Sequence, residues 1–445
     1  MARPGYGGAV KFPVTLRSRV KPQLHPVLFL ACLLVLGAAG CGRSPSLASG
    51  PLPQRGYLWQ RNWTPAVIPA LTAAGRRLQG VVLLGAEIEW AGQKPQVVRP
   101  KIDWERLKRM PGGRYSIALR VAPFAIPPNE RDPVLRSIEE VAKSLLAEAS
   151  AHEVKLEEFQ LDYDCAEKNL ANYRAWIHRL RETLGATRFV ITTLPAWLEK
   201  PEFAALLGEV DGYILQVHSV PFLNAGSRTL CDPAAARRWV AKAAQLHRPF
   251  SVALPTYRCT AGYNRAGKLI GVAMDAVQPS WPPDTRRLEF AADADRIAGL
   301  VHEWEDARPA ELQEIVWYRI PVATDARNWR WPTLAAVMAG RKPRRHFAVK
   351  RAGENPVDLA LVNDGETDDD LQARVVASWP SGVLVAADAL PGWKVESQAR
   401  QAIFTVADAP GIRLPPGSKR SIGWLRYAAP VRLAVTCGNE NETTR

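Results

Sequence analysis

The chain has 445 residues, a formal net charge of +14 and 47% hydrophobic residues. This length exceeds one ordinary domain, and the apolar content can bury a large core, so the composition excludes a globally disordered protein. The positive charge is accompanied by no RNA- or DNA-binding motif. We therefore expect a globular protein of two domains that has no nucleic-acid partner.

The N-terminus has the pattern of a secretory signal peptide. A basic stretch ends at Lys21, and the apolar run that follows, residues 26–40, is too short for a good membrane span. The run ends in LGAAGC, which resembles a bacterial lipobox with Cys41 as the acylated residue. We predict a signal peptide over residues 1–40 and a lipid anchor on Cys41. The alternative is plain secretion with a fortuitous cysteine.

Residues 41–56 are rich in Ser, Gly and Pro and are predicted to be a tether. Gly42, where an inner-membrane lipoprotein would carry Asp, resembles the outer-membrane type. The predicted location is therefore the bacterial cell envelope, with the protein facing the periplasm or the surface.

The cysteines of the exported part do not form a metal-binding pattern. An oxidising compartment permits disulfides, but the spacing leaves more than one connectivity open. No zinc-type spacing is present, and we predict no metal and no cofactor. The four candidates for pairing are Cys165, Cys231, Cys259 and Cys437.

From residue 57 short apolar runs alternate with longer amphipathic stretches. The predicted strands are 57–63, 80–90, 115–121, 157–164, 188–195, 212–219, 250–257 and 314–321. The clearest predicted helices are 132–152, 169–185, 232–246 and 289–305.

This alternation predicts a (β/α)8 TIM-type barrel over residues 57–340. A doubly wound open sheet would need a Gly-rich phosphate turn after the first strand, and none is present. Residues 346–445 carry short alternating runs and no strong helix, which predicts a small all-β, sandwich-like domain. Such a domain can bind polymer or brace the barrel, and because no row of exposed aromatic residues is evident there, we expect it to brace the barrel.

The fourth predicted strand has the letters EEFQLDYD, residues 157–164. Its alternation places Gln160, Asp162 and Asp164 on the face opposite the apolar residues, so that they point into the barrel. Active-site groups of this fold lie at the C-terminal ends of the strands. Nearby carboxylates raise each other's pKa, which is how an acid is kept protonated for proton donation. The alternative is that both aspartates bind loop amides and cap the next helix.

Other strand ends carry residues that suit a sugar site, because aromatic faces stack on pyranose rings while acids and amides bind hydroxyl groups. Glu87 or Glu89 is the predicted second carboxylate. A single Trp or His in this set is more typical of a core, and it is their coincidence at many strand ends that favours a site. With Gln160, the predicted substrate-binding residues are Trp59, Trp90, Arg120, Trp197, Gln216, His218, Tyr257, Tyr318 and Trp329.

The letters FQLDYD resemble the fourth-strand motif Asp-x-Asp-x-Glu of chitinase-like glycoside hydrolases. Asp162 and Asp164 match the two aspartates, whereas Ala166 stands where that family has its catalytic Glu. Glu167 is one residue later, which on a strand is the opposite face. The resemblance implies a sugar-cleaving barrel without the usual acid. Other sugar-cleaving barrels use an Asp at the end of this strand directly, which suits Asp164.

A second resemblance covers residues 57–335. The blocks LWQRNWTPAV, FQLDYD, TLPAWL, GYILQVHS, RPFSVALPTYR and WYRIPVATDARNW resemble an uncharacterised family of proteobacterial lipoproteins. It implies a glycosidase-like barrel and no assigned reaction.

Two hypotheses follow. In the first, the protein is a membrane-anchored glycoside hydrolase that acts on an envelope or extracellular polysaccharide, with Asp164 as general acid assisted by Asp162. In the second, motivated by Ala166, it is a non-catalytic glycan-binding or envelope-assembly lipoprotein that uses the same barrel.

Overall fold

The computed structural model describes residues 46–91, 94–110, 113–123, 133–219, 228–274, 280–368, 370–371, 373–407 and 412–439. The predicted signal peptide, the lipidation site Cys41 and the first part of the tether lie outside these residues. The described residues from Leu47 onward belong to one compact unit.

Eight parallel strands form a closed barrel, so the predicted fold class is confirmed. Each strand pairs in parallel with the next one along the chain, and the last pairs with the first. The barrel strands are β1 (Gln54–Leu58), β2 (Gly80–Ala91), β3 (Tyr115–Val121), β4 (Leu156–Tyr163), β5 (Phe189–Thr193), β6 (Gly212–Gln216), β7 (Phe250–Pro255) and β8 (Leu312–Tyr318).

The helices cover the outside of this barrel, and their apolar faces join the main core. Asp103, Asp232 and Asp293 each accept a backbone N–H bond at a helix start, which satisfies amides that lack a partner within the helix. The helices are α1 (Val67–Arg77), α2 (Trp104–Arg109), α3 (Pro133–Ala151), α4 (Leu170–Leu184), α5 (Pro201–Leu206), α6 (Pro233–Ala244), α7 (Ala294–Asp306) and α8 (Trp331–Met338).

Two additions extend the C-terminal rim of the barrel. Strand Lys94–Val98 pairs with the end of β2. After β7, strands Arg258–Tyr263, Leu269–Ala273 and Arg286–Ala291 form an antiparallel sheet. The sequence predicted a helix from residue 289, but Arg286–Ala291 pairs with its neighbour strand and α7 begins only after the Asp293 cap.

Part of the predicted tether lies against the barrel. Strand Leu47–Ala48 pairs with Arg308–Pro309. The Arg308 guanidinium donates to the Gly50 carbonyl at 2.6 Å and to the Trp304 carbonyl at 3.0 Å. Regular structure therefore starts before residue 57, because these backbone groups find hydrogen-bond partners on the barrel.

The C-terminal region is all-β, as predicted. Two four-stranded antiparallel sheets share an apolar core that includes Leu359, Val375, Phe404 and Leu425. One sheet contains Phe347–Ala352, Val357–Asn363, Lys419–Tyr427 and Leu384–Ala389, and the other contains Trp393–Gln398, Gln401–Val406, Ala373–Ser378 and Ala434–Asn439. Asp370–Leu371 pairs with Ile412–Arg413.

An ion-pair cluster lies inside the barrel near the strand starts. Arg55 binds Glu158 at 2.7 Å and Glu314 at 2.6 Å, and it donates to the Ser116 hydroxyl at 3.1 Å. Its side chain is 11% exposed. The Gln160 amide donates to Glu158 at 2.5 Å. The inward faces of β1, β4 and β8 therefore begin with charges that compensate one another, and β3 adds the Ser116 hydroxyl.

Candidate functional site

An inner pocket of about 230 Å³ lies at the C-terminal ends of the strands. It contains both aspartates of β4 and its continuation, because Phe159, Leu161 and Tyr163 pack outward into the helix-facing core. This pocket is lined by residues that include Tyr57, Trp59, Arg120, Asp162, Asp164, Thr192, Gln216, His218, Tyr257 and Tyr318.

Asp162 is held by two neighbouring strands. The Arg120 guanidinium on β3 donates to Asp162 Oδ2 at 3.0 Å, and the Thr192 hydroxyl on β5 donates to Oδ1 at 2.6 Å. Asp162 is 7% exposed. Its charge is compensated by Arg120, whose own pKa the Asp162 carboxylate raises. Asp162 is thus a fixed charge beside Asp164.

Asp164 follows the end of β4 and is half-buried. Burial, and then the negative charge of Asp162, raise the pKa of its carboxyl from 3.8 to about 6. Arg120 and a 3.4 Å hydrogen bond from the Gln216 amide act in the opposite direction. A substantial fraction of Asp164 is therefore protonated in mildly acidic solution, which an acid catalyst requires.

Aromatic rings form much of the remaining wall. The Trp59 and Tyr318 ring centroids are 5.3 Å apart, and the His218 ring stacks on Tyr318 at 5.8 Å with an interplanar angle of 16°. Burial lowers the pKa of His218 to about 4, so the imidazole is neutral near pH 7. Burial also raises the pKa values of Tyr257 and Tyr318, which keeps both hydroxyl groups protonated. This aromatic part of the wall is thus uncharged and can stack on the apolar face of a sugar ring.

An outer cleft of about 990 Å³ shares Trp59, Arg120 and Tyr318 with the inner pocket. Glu87 and Glu89 of β2 line this cleft, and Arg61 forms a salt bridge with each of them. The two glutamates both line the outer cleft, and both have a cationic partner.

Asp164 differs from the other acids of the two cavities. Glu87, Glu89, Asp162 and Asp325 each form a salt bridge. Among the described residues that line the inner pocket and the outer cleft, Asp164 is the carboxylate without one. It is therefore the acid best placed to exchange a proton with a ligand.

Several predicted binding residues lie elsewhere. Gln160 is fully buried below the pocket, where its side-chain oxygen accepts a 2.8 Å hydrogen bond from Tyr57. Trp197 is 0% exposed and donates to the Cys165 carbonyl at 3.1 Å within the main core. Trp329 is buried and lines a third cavity instead. Trp90 lies in β2, and its side chain is outside the described part of the structure.

The site residues that were not predicted include Tyr57, Thr192, Arg61 and Met274. Thr192 shares the inward face of β5 with Val190 and could have been found by the alternation used for β4. Arg61 and Met274 lie in loops, and only the tertiary structure brings them to the cleft.

No group of His, Cys, Asp and Glu within the described residues could hold a metal ion. The four cysteines Cys165, Cys231, Cys259 and Cys437 are free thiols, and burial raises the pKa of each. Across the described ranges, no helix combines the length and apolar character needed to cross a membrane.

The fold and site together define a (β/α)8 barrel with a polar, aromatic-walled pocket and a C-terminal all-β domain. A family described as a domain of unknown function, DUF3142, matches residues 131–323, which include Asp162 and Asp164. A second family of unknown function, DUF8456, matches residues 347–428 of the all-β region. No curated protein matches the chain.

Solved structures with a similar fold include three enzymes. The spore cortex-lytic enzyme SleL of Bacillus megaterium QM B1551 has a TM-score of 0.46 and 10% identity, over 67% of this chain and 76% of that chain. Chitinase ChiA74 of Bacillus thuringiensis has a TM-score of 0.39 and 11% identity, over 87% and 100%. The GH18 chitinase ChiB of Flavobacterium johnsoniae has a TM-score of 0.42 and 11% identity, over 65% and 94%.

Proposed function

We propose that the protein is a glycoside hydrolase of the bacterial cell envelope that cleaves an envelope or extracellular polysaccharide. The observation that carries this proposal is the Asp164 carboxyl, which has a pKa of about 6 and no salt bridge and lies in a pocket with aromatic walls. General acid catalysis is most effective when the pKa of the acid is near the working pH.

Asp164 donates its proton to the glycosidic oxygen as the bond to the leaving sugar breaks. The resulting Asp164 carboxylate then accepts a proton from the attacking water or from the incoming group, which restores the acid. The rings of Trp59 and Tyr318 offer faces on which the sugar can stack, and Gln216 orients Asp164 through its amide. Asp162 remains bound to Arg120 and Thr192 and acts through its charge on Asp164.

Glu87 is the proposed second carboxylate, since it lines the cleft that shares Arg120 with the Asp164 pocket. Its bond to Arg61 compensates its charge in the absence of substrate. Glu89, which is more exposed and also bound to Arg61, contributes to the cleft wall. A substrate whose own acetamido group is the nucleophile would need no protein carboxylate in this second role.

The pH dependence of cleavage tests the pairing of the two aspartates. Because the protonated form of Asp164 is active, kcat/KM of the wild type should fall as the pH rises through about 6. Asp162→Asn removes the negative neighbour that raises the pKa of Asp164 and leaves the opposing charge of Arg120, so this fall should move to lower pH. The measurement is the pH profile of kcat/KM.

The matched control is Asp306→Asn, which makes the same change at an exposed carboxylate at the end of α7. Its profile should coincide with that of the wild type. If kcat/KM of Asp162→Asn fell at the same pH as that of the wild type, this would contradict the proposed electrostatic coupling between Asp162 and Asp164.

The second candidate is a non-catalytic glycan-binding or envelope-assembly protein. It is favoured by the salt bridges that engage Glu87 and Glu89, and by Ala166 at the position of the chitinase-type acid. Peptidoglycan and exopolysaccharide fragments are suitable probes for both candidates. Binding that persists in Asp164→Asn, with no turnover by the wild type, would select this second function, whereas release of reducing ends by the wild type would exclude it.

The proposed membrane anchor has its own test. In Cys41→Ala the acylated residue is absent, so the protein should move from the detergent-extractable membrane fraction to the soluble fraction of the envelope. Cys32→Ala, within the apolar run of the signal peptide, is the control and should stay membrane-bound. If Cys41→Ala also stayed in the membrane fraction, the anchor would not be this cysteine.

A further inference from the structure

A third cavity of about 830 Å³ lies where the barrel meets the all-β domain. The barrel side contributes Tyr257 and Trp329, and the all-β side contributes Asp368 and Arg413. Tyr257 also lines the inner pocket. The cavity is therefore a neighbour of the candidate active site and is separate from the group of acids described above.

Arginine dominates the charged side chains of this cavity. Three aspartates line it as well, namely Asp293, Asp295 and Asp368. Because the arginines outnumber the aspartates, the lining has a net positive charge. The arginines are Arg228, Arg258, Arg296, Arg345 and Arg413.

Salt bridges engage three of these arginines. Arg258 binds Asp368 at 2.9 Å, and this pair is almost buried, with side chains 11% and 9% exposed. Arg345 binds Asp295 at 2.9 Å. Arg413 binds Glu289 at 2.7 Å. These bonds join the barrel and the C-terminal region and fix the walls of the cavity.

Arg228 and Arg296 are different. Neither forms a salt bridge with a carboxylate of the described residues, although Arg296 is near enough to Asp232 to help lower the pKa of that carboxyl, and both arginines are exposed. Asp293, the remaining acid, accepts the backbone N–H groups of Asp295 and Arg296 at 3.1 Å each. The Asp293 carboxylate is therefore already stabilised by the backbone at the start of α7, where the helix dipole favours an anion.

The backbone at Arg228 and Leu230 is hydrogen-bonded to Ala291 in the cavity wall. The Ala291 amide donates to the Arg228 carbonyl at 3.2 Å, and the Leu230 amide donates to the Ala291 carbonyl at 3.0 Å. Arg296 lies in the first turn of α7. Two arginines without a salt bridge thus extend from well-supported backbone into one cavity.

We propose that this cavity is a binding site for a polyanionic ligand, whose phosphate or carboxylate groups are held by Arg228 and Arg296. Guanidinium groups bind such anions through paired, charge-assisted hydrogen bonds. The Arg258–Asp368 and Arg345–Asp295 pairs form the framework of the site and keep the two arginines in place. This site does not depend on the chemistry assigned to Asp164.

The test uses two probes on the full mature protein, inorganic pyrophosphate for phosphate groups and trigalacturonate for carboxylate groups. Isothermal titration calorimetry at low salt should show that the wild type binds at least one of them. In Arg228→Glu/Arg296→Glu the affinity for that probe should fall by about tenfold or more, because two attractive charges become repulsive. The probe that binds identifies the anion class.

The matched control is Arg109→Glu/Arg136→Glu, which makes the same charge change on α2 and α3, across the barrel from β7. Its affinity should stay close to that of the wild type. Both double variants must unfold cooperatively near the wild-type temperature. Equal weakening in the two variants, or no binding of either probe to the wild type, would overturn the proposal. Asp164→Asn should bind the probe with wild-type affinity. A failure of the anion-site proposal can therefore be distinguished from a failure of the hydrolase proposal.

Discussion

Asp164→Asn is expected to lower the rate of polysaccharide cleavage by about 10²–10⁴-fold, the usual contribution of a general acid. The amide has nearly the same shape as the carboxyl and can still accept the hydrogen bond from Gln216. However, it has no acidic proton to donate to the leaving oxygen. Release of reducing ends from a fragment that the wild type cleaves is the measurement.

Two controls show whether the loss of activity is specific to proton donation by Asp164. Asp306→Asn, at an exposed site, should retain wild-type activity. Glycan affinity should survive in Asp164→Asn, because Trp59, Tyr318 and the rest of the aromatic wall are unchanged. Full activity in Asp164→Asn would remove Asp164 from the reaction, even if the variant bound glycan normally.

The second large effect concerns the ion-pair cluster at the other end of the barrel. Arg55→Met removes the guanidinium that compensates Glu158 and Glu314 inside the barrel. Burial already raises the pKa of Glu314 while Arg55 opposes this shift, so the variant leaves buried carboxylates with less compensation. The free energy of unfolding should fall by about 3–5 kcal/mol near pH 7, which chemical denaturation can measure.

Arg114→Met provides the matched control, because Arg114 pairs with Glu157, the residue before Glu158, but its side chain is 62% exposed. An exposed pair of this kind contributes no more than about 1 kcal/mol. The loss in Arg55→Met should shrink at low pH, because Glu314, whose pKa burial raises, takes up a proton there and no longer needs a cation. Equal losses in the free energy of unfolding for Arg55→Met and Arg114→Met would contradict the stabilising role of the ion-pair cluster.

The barrel could be predicted from the sequence because its strands are short apolar runs separated by helices with recognisable caps. In β4 a strict alternation distinguishes Phe159 and Leu161, which pack outward, from Asp162, which points inward. The same alternation placed Asp164 at the pocket. Local patterns of this kind persist in the folded chain because the two faces of a barrel strand have different surroundings.

Other features depend on contacts between distant residues. Trp197 follows a strand end, as a binding residue would, but it packs into the core beside Tyr173 and Phe203. Arg61 meets Glu87 and Glu89 only because β1 and β2 are neighbours in the closed sheet. The sequence therefore indicated the two glutamates but not their salt bridges, which decide how they can act.

The rim sheet after β7 was also missed. Its strands are short, and Gly262 is required in one of them because a Cβ atom there would lie 2.5 Å from the Trp281 ring. Residues 289–291 were included in the predicted helix 289–305 because charged and apolar side chains recur there with an ambiguous spacing. Arg286–Ala291 forms a strand because it pairs with Arg258–Tyr263. This partner lies earlier in the chain, outside the short window in which a sequence pattern is read.

The most direct test of the central claim is the pKa of the Asp164 carboxyl in the substrate-free protein. Carbon-13 NMR of protein labelled at the aspartate carboxyl carbons can follow its titration, and the Asp164→Asn spectrum assigns the signal. A pKa of about 6 is the result expected for a half-buried carboxyl beside Asp162 that has no salt bridge. A pKa at or below the ordinary aspartate value of 3.8 would show an ionised, compensated group and would contradict its assignment as the proton donor.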